Sequence, residues 1–369
     1  MIFILGLMWA TLGIYCIYSI LFSTGLYRLK KSSRKLSLLN YPNVSVVIAA
    51  RNESKNLSGL LDDLTFQDYP KNKLEIIIAD DRSTDDTWKI ISGFIKEHHN
   101  FRGIKITSKS KDMTPKKHAL SEALSTARGG IILSTDGDCR VLSTWVSSMV
   151  AELESSTGIV TGFSSVKAEN RLFYLFQQVD FLTLMSANAG AMGMGFSWAG
   201  SGQNLAYRKS LFNQIDGFRP VAHEISGDDI YLIQSISRIG GGTFNPDPGG
   251  AVTTLPVDSF SQFINQRIRW ASNAPRQLHS RVWFLVFLLS SFILNTSILL
   301  HIILGLFSFS LIYIFLVKLC TEGLVIYLGG RVFKTRVSFL VFLMWSLVQP
   351  FYIPTMGLLG VSGRYSWKP

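Results

Sequence analysis

Cysteine is scarce in this chain: 369 residues carry three, Cys16, Cys139 and Cys320. They lie far apart without metal-ligand spacing, so neither a disulfide framework nor a thiolate zinc site organises the fold. Reduced thiols of this kind suit a catalytic domain in the cytosol. Internal repeats and low-complexity segments are also lacking. Acidic residues are the minority, 25 against 36 basic, for a net charge of +11. No recognisable nucleic-acid module accompanies that surplus. The basic residues gather beside apolar stretches, where anionic lipid headgroups account for them better than nucleic acid does.

Charge is missing altogether from two stretches, in a chain that is 47% hydrophobic with mean hydropathy +0.26. Met1 to Tyr27 has no charged side chain, and at about 1.5 Å per residue it is long enough to cross a hydrocarbon core of about 30 Å. It lacks a basic start, a short apolar core and a small-residue cleavage site, so an uncleaved signal anchor is expected over residues 1–27. A basic juxtamembrane linker follows over 28–41, with Arg28, Lys30, Lys31, Arg34 and Lys35. Val282 to Val317 is equally free of formal charge and too long for one crossing. Spans are expected near 283–304, 311–329 and 337–361 within a C-terminal region 282–369. The clusters Arg276 with Arg281, and Arg331, Lys334 and Arg336, agree with the first cluster in marking the cytoplasmic side. The whole middle of the chain is then cytoplasmic in an integral membrane protein of the inner or plasma membrane. Lys318 and Glu322 stand four apart inside a span, able to pair on one helix face. Either a functional role or helix packing explains such a pair.

Between the apolar ends, strand and helix patterns alternate. Val44 to Ala50 is a β-branched-rich run, and Leu57, Leu60, Leu61 and Leu64 follow at helical spacing. Leu74 to Ala79, Gly103 to Thr107 and Ile131 to Thr135 read as further strands. Helices are expected after the second strand and over Pro115 to Ala127. Four strands alternating with helices predict an α/β fold with a mainly parallel, Rossmann-like sheet. Ser83 and Asp86 have capping-box spacing before the helix through Trp88 and Ile91. Ile159 to Phe163 and Leu205 to Tyr207 are strand-like. Arg171 to Met194 reads equally as an interfacial or groove-lining helix and as a buried core helix. Asp258 to Arg281 reads as an amphipathic helix or helix pair leading into the membrane.

Ligands of open α/β sheets sit beyond the carboxyl ends of the strands, and carboxylates stand there. Asp80-Asp81 closes the second strand, where two acidic side chains exceed what a helix dipole needs. One of them can accept the imide N–H of uracil. Arg51, Asn52 and Glu53 end the first strand, within reach of a base or ribose. Asp136-Gly137-Asp138 closes the fourth strand and reads as a metal-diphosphate site. A hard cation such as Mg²⁺ or Mn²⁺ shares one or two carboxylates with substrate phosphates, and Gly137 leaves room for the diphosphate. Lys116 or Lys117 can meet a phosphate. Asp228 is expected to cap the following helix, leaving Asp229 as candidate general base. Gln266, Arg267, Arg269 and Trp270 lie within helical reach of one another. Arg and Trp also anchor interfaces, but the full Gln-x-x-Arg-Trp spelling favours a site.

The series Asp-Asp, Asp-x-Asp, Asp-Asp, Gln-x-x-Arg-Trp from about residue 42 to 281 resembles that of membrane-bound family 2 glycosyltransferases. It is similar to ceramide glucosyltransferases and to cellulose, chitin, hyaluronan and poly-N-acetylglucosamine synthases. The resemblance implies a GT-A domain over 42–255, an interfacial region over 256–281 carrying the pentapeptide, a UDP-sugar donor, Mg²⁺ or Mn²⁺, and inversion at the anomeric carbon. Carried over by position, Asp81 with Asp80 would bind uridine, and Asp138 the metal with Asp136 in support. Asp229 would be the base, and Gln266, Arg269 and Trp270 would hold the diphosphate and the acceptor end. The family commonly has Glu-Asp where this chain has Asp228-Asp229. Fewer spans than in the large processive synthases favour a lipid or lipid-linked saccharide acceptor over a growing polymer. A non-catalytic nucleotide-sugar-binding membrane component is the alternative from another class.

Overall fold

The structure, a computed structural model, describes residues 2–32, 41–274 and 282–362. Of the basic residues invoked for topology, Arg34, Lys35, Arg276 and Arg281 lie outside these. The chain divides into two compact units, one of residues 29–167 and 195–255, the other of residues 1–28, 168–194 and 256–369.

The first of these units is an α/β domain. Val44–Ala50 (β1), Leu74–Asp81 (β2), Phe101–Ile106 (β3) and Ile131–Asp136 (β4) form its parallel part, in the order β3-β2-β1-β4. Strands β1 and β2 are buried along nearly their whole length, which is why they read as continuous apolar runs without alternation. The connecting helices are Leu57–Thr65 (α2), Thr87–Glu97 (α3) and Pro115–Thr126 (α4), preceded in the chain by Ile2–Ser32 (α1). Leu57, Leu60, Leu61 and Leu64 all face the core, as their helical spacing requires.

Beyond β4 come Cys139–Val141 (β5), Trp145–Ser156 (α5), Ile159–Gly162 (β6), Ser164–Val166 (β7), Leu172–Gly193 (α6), Leu205–Arg208 (β8), Lys209–Gln214 (α7), Asp228–Gly240 (α8), Gly242–Asn245 (β9) and Val252–Thr254 (β10). Strand β8 adds antiparallel to β4, and β6 and β9 complete a seven-stranded sheet in the order β3-β2-β1-β4-β8-β6-β9. A second sheet has the order β5-β10-β7. The strand order reverses at β1, between β2 and β4, which places the ligand crevice of such a sheet over the carboxyl ends of those strands. Ala50 pairs with Asp80, and Ala49 with Asp136, so the acidic ends of β2 and β4 flank β1 at nearly one level.

The other unit is helical. Phe260–Ala271 (α9), Val282–Ile303 (α10), Phe309–Val332 (α11) and Phe339–Ser362 (α12) join α1 and α6. Among the described residues, Leu5–Lys31, Val282–Ile303, Phe309–Val332 and Phe339–Ser362 are long and apolar enough to cross a membrane, as expected of an integral membrane protein. Helix α6 is a buried helix of this unit, carrying Gln177 and Asp180 inside it. The Lys318–Glu322 pair forms at 2.7 Å, fully buried. Tyr15 of α1 donates to Glu322 Oε1 at 3.0 Å and Ser346 of α12 to Oε2 at 2.7 Å. One carboxylate thereby ties three helices.

That arrangement is tested by thermal unfolding in detergent. Lys318→Met strands a buried carboxylate and is expected to cost about 3–5 kcal/mol, whereas adding Glu322→Leu should recover most of the loss. A single variant that melts with the wild type would contradict the assignment of the pair as a structural tie.

Candidate active site

The loops after β1 and β2 lie side by side because their strands are adjacent and parallel, and they satisfy one another. The Asn52 N–H donates to Ser83 Oγ at 2.9 Å, and Thr84 N–H to Asn52 Oδ1 at 2.8 Å. Ser83 therefore does not cap α3, contrary to its capping-box spacing. The helix starts at Thr87, whose N–H donates to Asp85 Oδ1 at 3.0 Å. Glu53 is buried, its N–H donating to Thr87 Oγ1 at 2.8 Å and its Oε2 accepting from Asn56 at 3.1 Å.

The two carboxylates at the end of β2 differ sharply. Asp81 is held by both donors of the Arg82 fork, at 2.7 and 2.9 Å, with Arg51 Nη1 at 3.9 Å. Asp80 is fully buried. Its Oδ1 accepts from Ser83 N–H at 3.3 Å, while Oδ2 has no hydrogen-bond partner among the described residues. A buried carboxylate oxygen without a donor is costly, which makes Asp80 Oδ2 the better-placed acceptor for a ligand N–H. Arg82, in the left-handed region at φ 56°, was not anticipated from sequence.

At the end of β4, Asp136 Oδ1 accepts from Lys116 Nζ at 2.8 Å. The two lysines opening α4 have separate tasks. Lys117 is buried and donates to the Glu224 carbonyl oxygen, which Thr114 Oγ1 also reaches at 3.2 Å. That strap holds the segment leading to Asp228 and Asp229. Burial pulls the Lys116 ammonium down, but Asp136, Asp228 and Asp229 together more than offset it and leave its pKa raised. Lys116 thus sits among carboxylates from two distant stretches of chain.

Helix α8 begins at Asp228, with Gly227 in the N-cap position at φ 89°. Asp228 accordingly lies in the first turn and is not the cap. Asp229 Oδ1 accepts from Ile230 N–H at 2.8 Å and Oδ2 from Gly202 N–H at 3.1 Å. A Cβ at position 202 would lie 3.2 Å from that of Asp229, so the glycine lets the loop at 200–204 approach Asp229 closely. Burial, then the neighbouring Asp228, push the Asp229 carboxyl up to about 6. Burial and Asp228 also raise the Tyr207 hydroxyl.

Among the described residues no three His, Cys, Asp or Glu side chains could hold a metal ion by themselves. Asp136 and Asp138 offer hard oxygens on either side of Gly137, the partial donor set of a cation completed by substrate phosphates and water. The residues fit that kind of ion.

In the helical unit, the Ser259 hydroxyl caps α9 by accepting from Gln262 N–H at 3.2 Å. Gln266, Arg269 and Trp270 are half-buried, and Arg267 between them is buried. Arg267 donates to Asp180 Oδ2 at 2.8 Å and stacks on Trp270 and Phe263, 4.2 and 4.4 Å from their ring centroids. Its spacing from Phe263 and Trp270, four and three residues, could have marked it; nothing local marks Asp180.

A mainly parallel GT-A sheet with acidic strand ends, one apolar helix before it and three after, defines a membrane-associated glycosyltransferase. The chain belongs to glycosyl transferase family 21, whose profile it matches over residues 7–363, the relation that the likeness to ceramide glucosyltransferases anticipated. It is 26% identical over 234 residues to "Probable glycosyltransferase YdaM" of Bacillus subtilis, covering 62% of this chain and 54% of that one. It is 34% identical over 143 residues to a beta-monoglucosyldiacylglycerol synthase of Nostoc sp., covering 38% of this chain and 28% of the relative. The mannosyltransferase PcManGT from Pyrobaculum calidifontis, solved with GDP-Man and Mn²⁺, shares the fold. Its TM-score is 0.60 at 18% identity over 95% of this chain and 99% of that one. The chain spans little more than half the length of the first two curated relatives, 54% and 59%.

The carboxylate cluster has a measurable dependence on its cation. Lys116→Met should destabilise the protein at neutral pH by about 1–3 kcal/mol. The sign follows from linkage: Lys116 lowers the Asp229 pKa, so without the ammonium that carboxyl rises further, and the loss is full where it is ionised and shrinks as acid protonates it. Melting curves across pH 4–8, taken as about one to two units either side of the Asp229 value, check this. A loss that does not vary with pH would argue against the cluster.

Proposed function

We propose that this protein transfers a sugar, with inversion, from a UDP-sugar to a lipid or lipid-linked saccharide at the cytoplasmic face of the membrane. The observation that carries the proposal is the single ammonium of Lys116 between Asp136, at the end of β4, and the Asp228-Asp229 pair opening α8. It joins a donor-phosphate position to a candidate base at the ligand end of a parallel sheet. Relatives named for lipid acceptors support the acceptor class, among them the beta-monoglucosyldiacylglycerol synthases. A further relative from Methanococcus voltae is named for a dolichyl N-acetylglucosaminyl phosphate acceptor. Lys30, Lys31, Arg331, Lys334 and Arg336 flank the apolar helices and support cytoplasmic placement of the catalytic unit.

The chemistry then runs as follows. Asp80 Oδ2 accepts the imide N–H of the base, with Arg51 and Glu53 toward the nucleoside and Asp81 fixed by Arg82. Mg²⁺ or Mn²⁺ held by Asp136 and Asp138 supplies neutralisation of the diphosphate when bound. Lys116 adds positive charge on the same side, and Arg269 with Gln266 and Trp270 is assigned to the diphosphate and the acceptor end. Asp229, oriented by the Gly202 and Ile230 N–H groups, takes the proton of the acceptor hydroxyl as that oxygen attacks the anomeric carbon and the nucleoside diphosphate departs. A pKa near 6 leaves the base mostly ionised at neutral pH while keeping it basic enough to work.

Purified protein in detergent, given a panel of UDP- and GDP-sugars with total lipid extract, should yield a glycolipid identifiable by mass spectrometry. The GDP-Man bound by the mannosyltransferase makes a GDP donor the outcome that would overturn the uridine assignment. Donor binding without turnover on any acceptor would instead support a non-catalytic component. Asp229→Asn should lower turnover by about 10²–10⁴ with donor affinity little changed, and wild-type kcat/KM should fall as pH drops through about 6. Chelation should abolish transfer and Mn²⁺ or Mg²⁺ restore it. Asp138→Asn should weaken the metal by more than the ~10–100-fold typical of outer-shell changes. Activity in excess chelator would remove the metal from the mechanism.

A further inference from the structure

Asp180 sits at 4% exposure within the apolar helix α6, and Arg267 of α9 at 5%. The Asp180 carboxylate accepts from Arg267 Nε at 2.8 Å, from Trp345 Nε1 at 3.0 Å and from the Tyr352 hydroxyl at 3.3 Å. Three donors from α9 and α12 converge on one buried charge. A buried ion pair is a poor route to stability, because apolar residues of the same volume do as well or better. What this one achieves is orientation. The planar guanidinium is clamped between Phe263 and Trp270, and its Nη1 donates to Gln266 Oε1.

That last contact has a chemical consequence. A guanidinium has donors and no acceptor, so Gln266 must turn its oxygen toward Arg267. The carboxamide NH₂ is thereby directed away from Arg267, as a donor. Asp180 fixes Arg267, Arg267 fixes the Gln266 amide, and the same guanidinium covers one face of the Trp270 ring. We infer that Asp180 and Arg267 are positioning residues that set Gln266 as an N–H donor toward an anionic group, the diphosphate of the donor. This rests on the proposed role of the pentapeptide in binding that diphosphate.

Gln266→Glu tests the inference. A carboxylate at 266 pairs with Arg267 at least as well as the amide oxygen does, so a merely structural contact would be kept or strengthened. The NH₂ donor is lost, however, and replaced by a negative charge that disfavours an anionic ligand. Full-length protein in detergent is expected to melt at or above the wild-type temperature, while its KM for the donor and its Kd for UDP with Mn²⁺ rise by about tenfold or more. Asp180→Asn keeps the side-chain shape and should raise the same constants by a smaller factor. Arg267→Lys, which keeps charge but not the planar fork, should not rescue them. Wild-type donor constants in Gln266→Glu, with Arg269→Ala impaired, would overturn the donor orientation and leave the pentapeptide's role standing. Wild-type constants in Gln266→Glu, Arg269→Ala and Trp270→Ala alike would overturn the pentapeptide's role itself.

Discussion

Like charges brought together at the end of a sheet must be neutralised, and in the α/β unit that constraint falls on Lys116. Its ammonium bonds to Asp136 and feels Asp228 and Asp229, groups contributed by stretches of chain more than ninety positions apart by number. Without a cation at that point, the ends of β4 and α8 would repel each other. The neighbouring Lys117 acts on the same assembly from behind, holding the segment before α8 through the Glu224 carbonyl. Two consecutive lysines at a helix start thus serve opposite surroundings, one among carboxylates and one in a buried backbone strap.

Three strands of the parallel half, β1, β2 and β4, were readable because each is an apolar run ended by polar residues. Strand β3, interrupted by Arg102 and Lys105, lies at Phe101–Ile106 and not at the expected Gly103 to Thr107. Val44–Ala50 matches its expected bounds, and β2 and β4 extend only into their own terminal carboxylates. The four helices long and apolar enough to cross a membrane were readable as long apolar runs, one of them interrupted by Lys318 and Glu322. Short elements were not: β5, β7 and β10 have three residues each, too few to show a period. Both cap assignments failed through competition from elsewhere. Ser83 serves the Asn52 backbone across 31 positions, and Gly227 takes the position assigned to Asp228 because its left-handed backbone turns the chain into α8. Candidate site residues announced themselves as motifs, but their division of labour did not. Asp80 and Asp81 are identical in sequence terms, yet Arg82 and Arg51 reach only Asp81 while Asp80 is fully buried beside the Ser83 N–H. Asp180, 87 positions from Arg267, has no local signature at all.

Among the described residues, two buried ion pairs of the helical unit show different uses of the same interaction. Lys318 and Glu322 are four residues apart on one helix, and their pair recruits Tyr15 and Ser346 from neighbouring helices. Its effect stays within the packing of the apolar bundle. Asp180 and Arg267 come from separate helices, and their pair hands its orientation on to Gln266 and Trp270. In an apolar setting charge is expensive to place. Both pairs are surrounded by additional donors, as buried carboxylates require.

The interleaving of the two units along the chain sets an order for biogenesis. Synthesis delivers residues 1–28 before most of the α/β unit, then 168–194, then the rest of that unit, and only after it the helices from residue 256 onward. The α/β unit has all its strands once β10 ends at Thr254, before α9 and the last three apolar helices exist. The helical unit, by contrast, cannot assemble before α9, α11 and α12 are made: Tyr15 and Asp180 wait for Glu322, Arg267, Trp345 and Tyr352. A ribosome making this protein therefore holds α1 and α6 before their polar partners exist, and a truncation after the sheet would leave Asp180 without Arg267, Trp345 and Tyr352 and the apolar surface of α6 without the helices that cover it, a ready target for quality control.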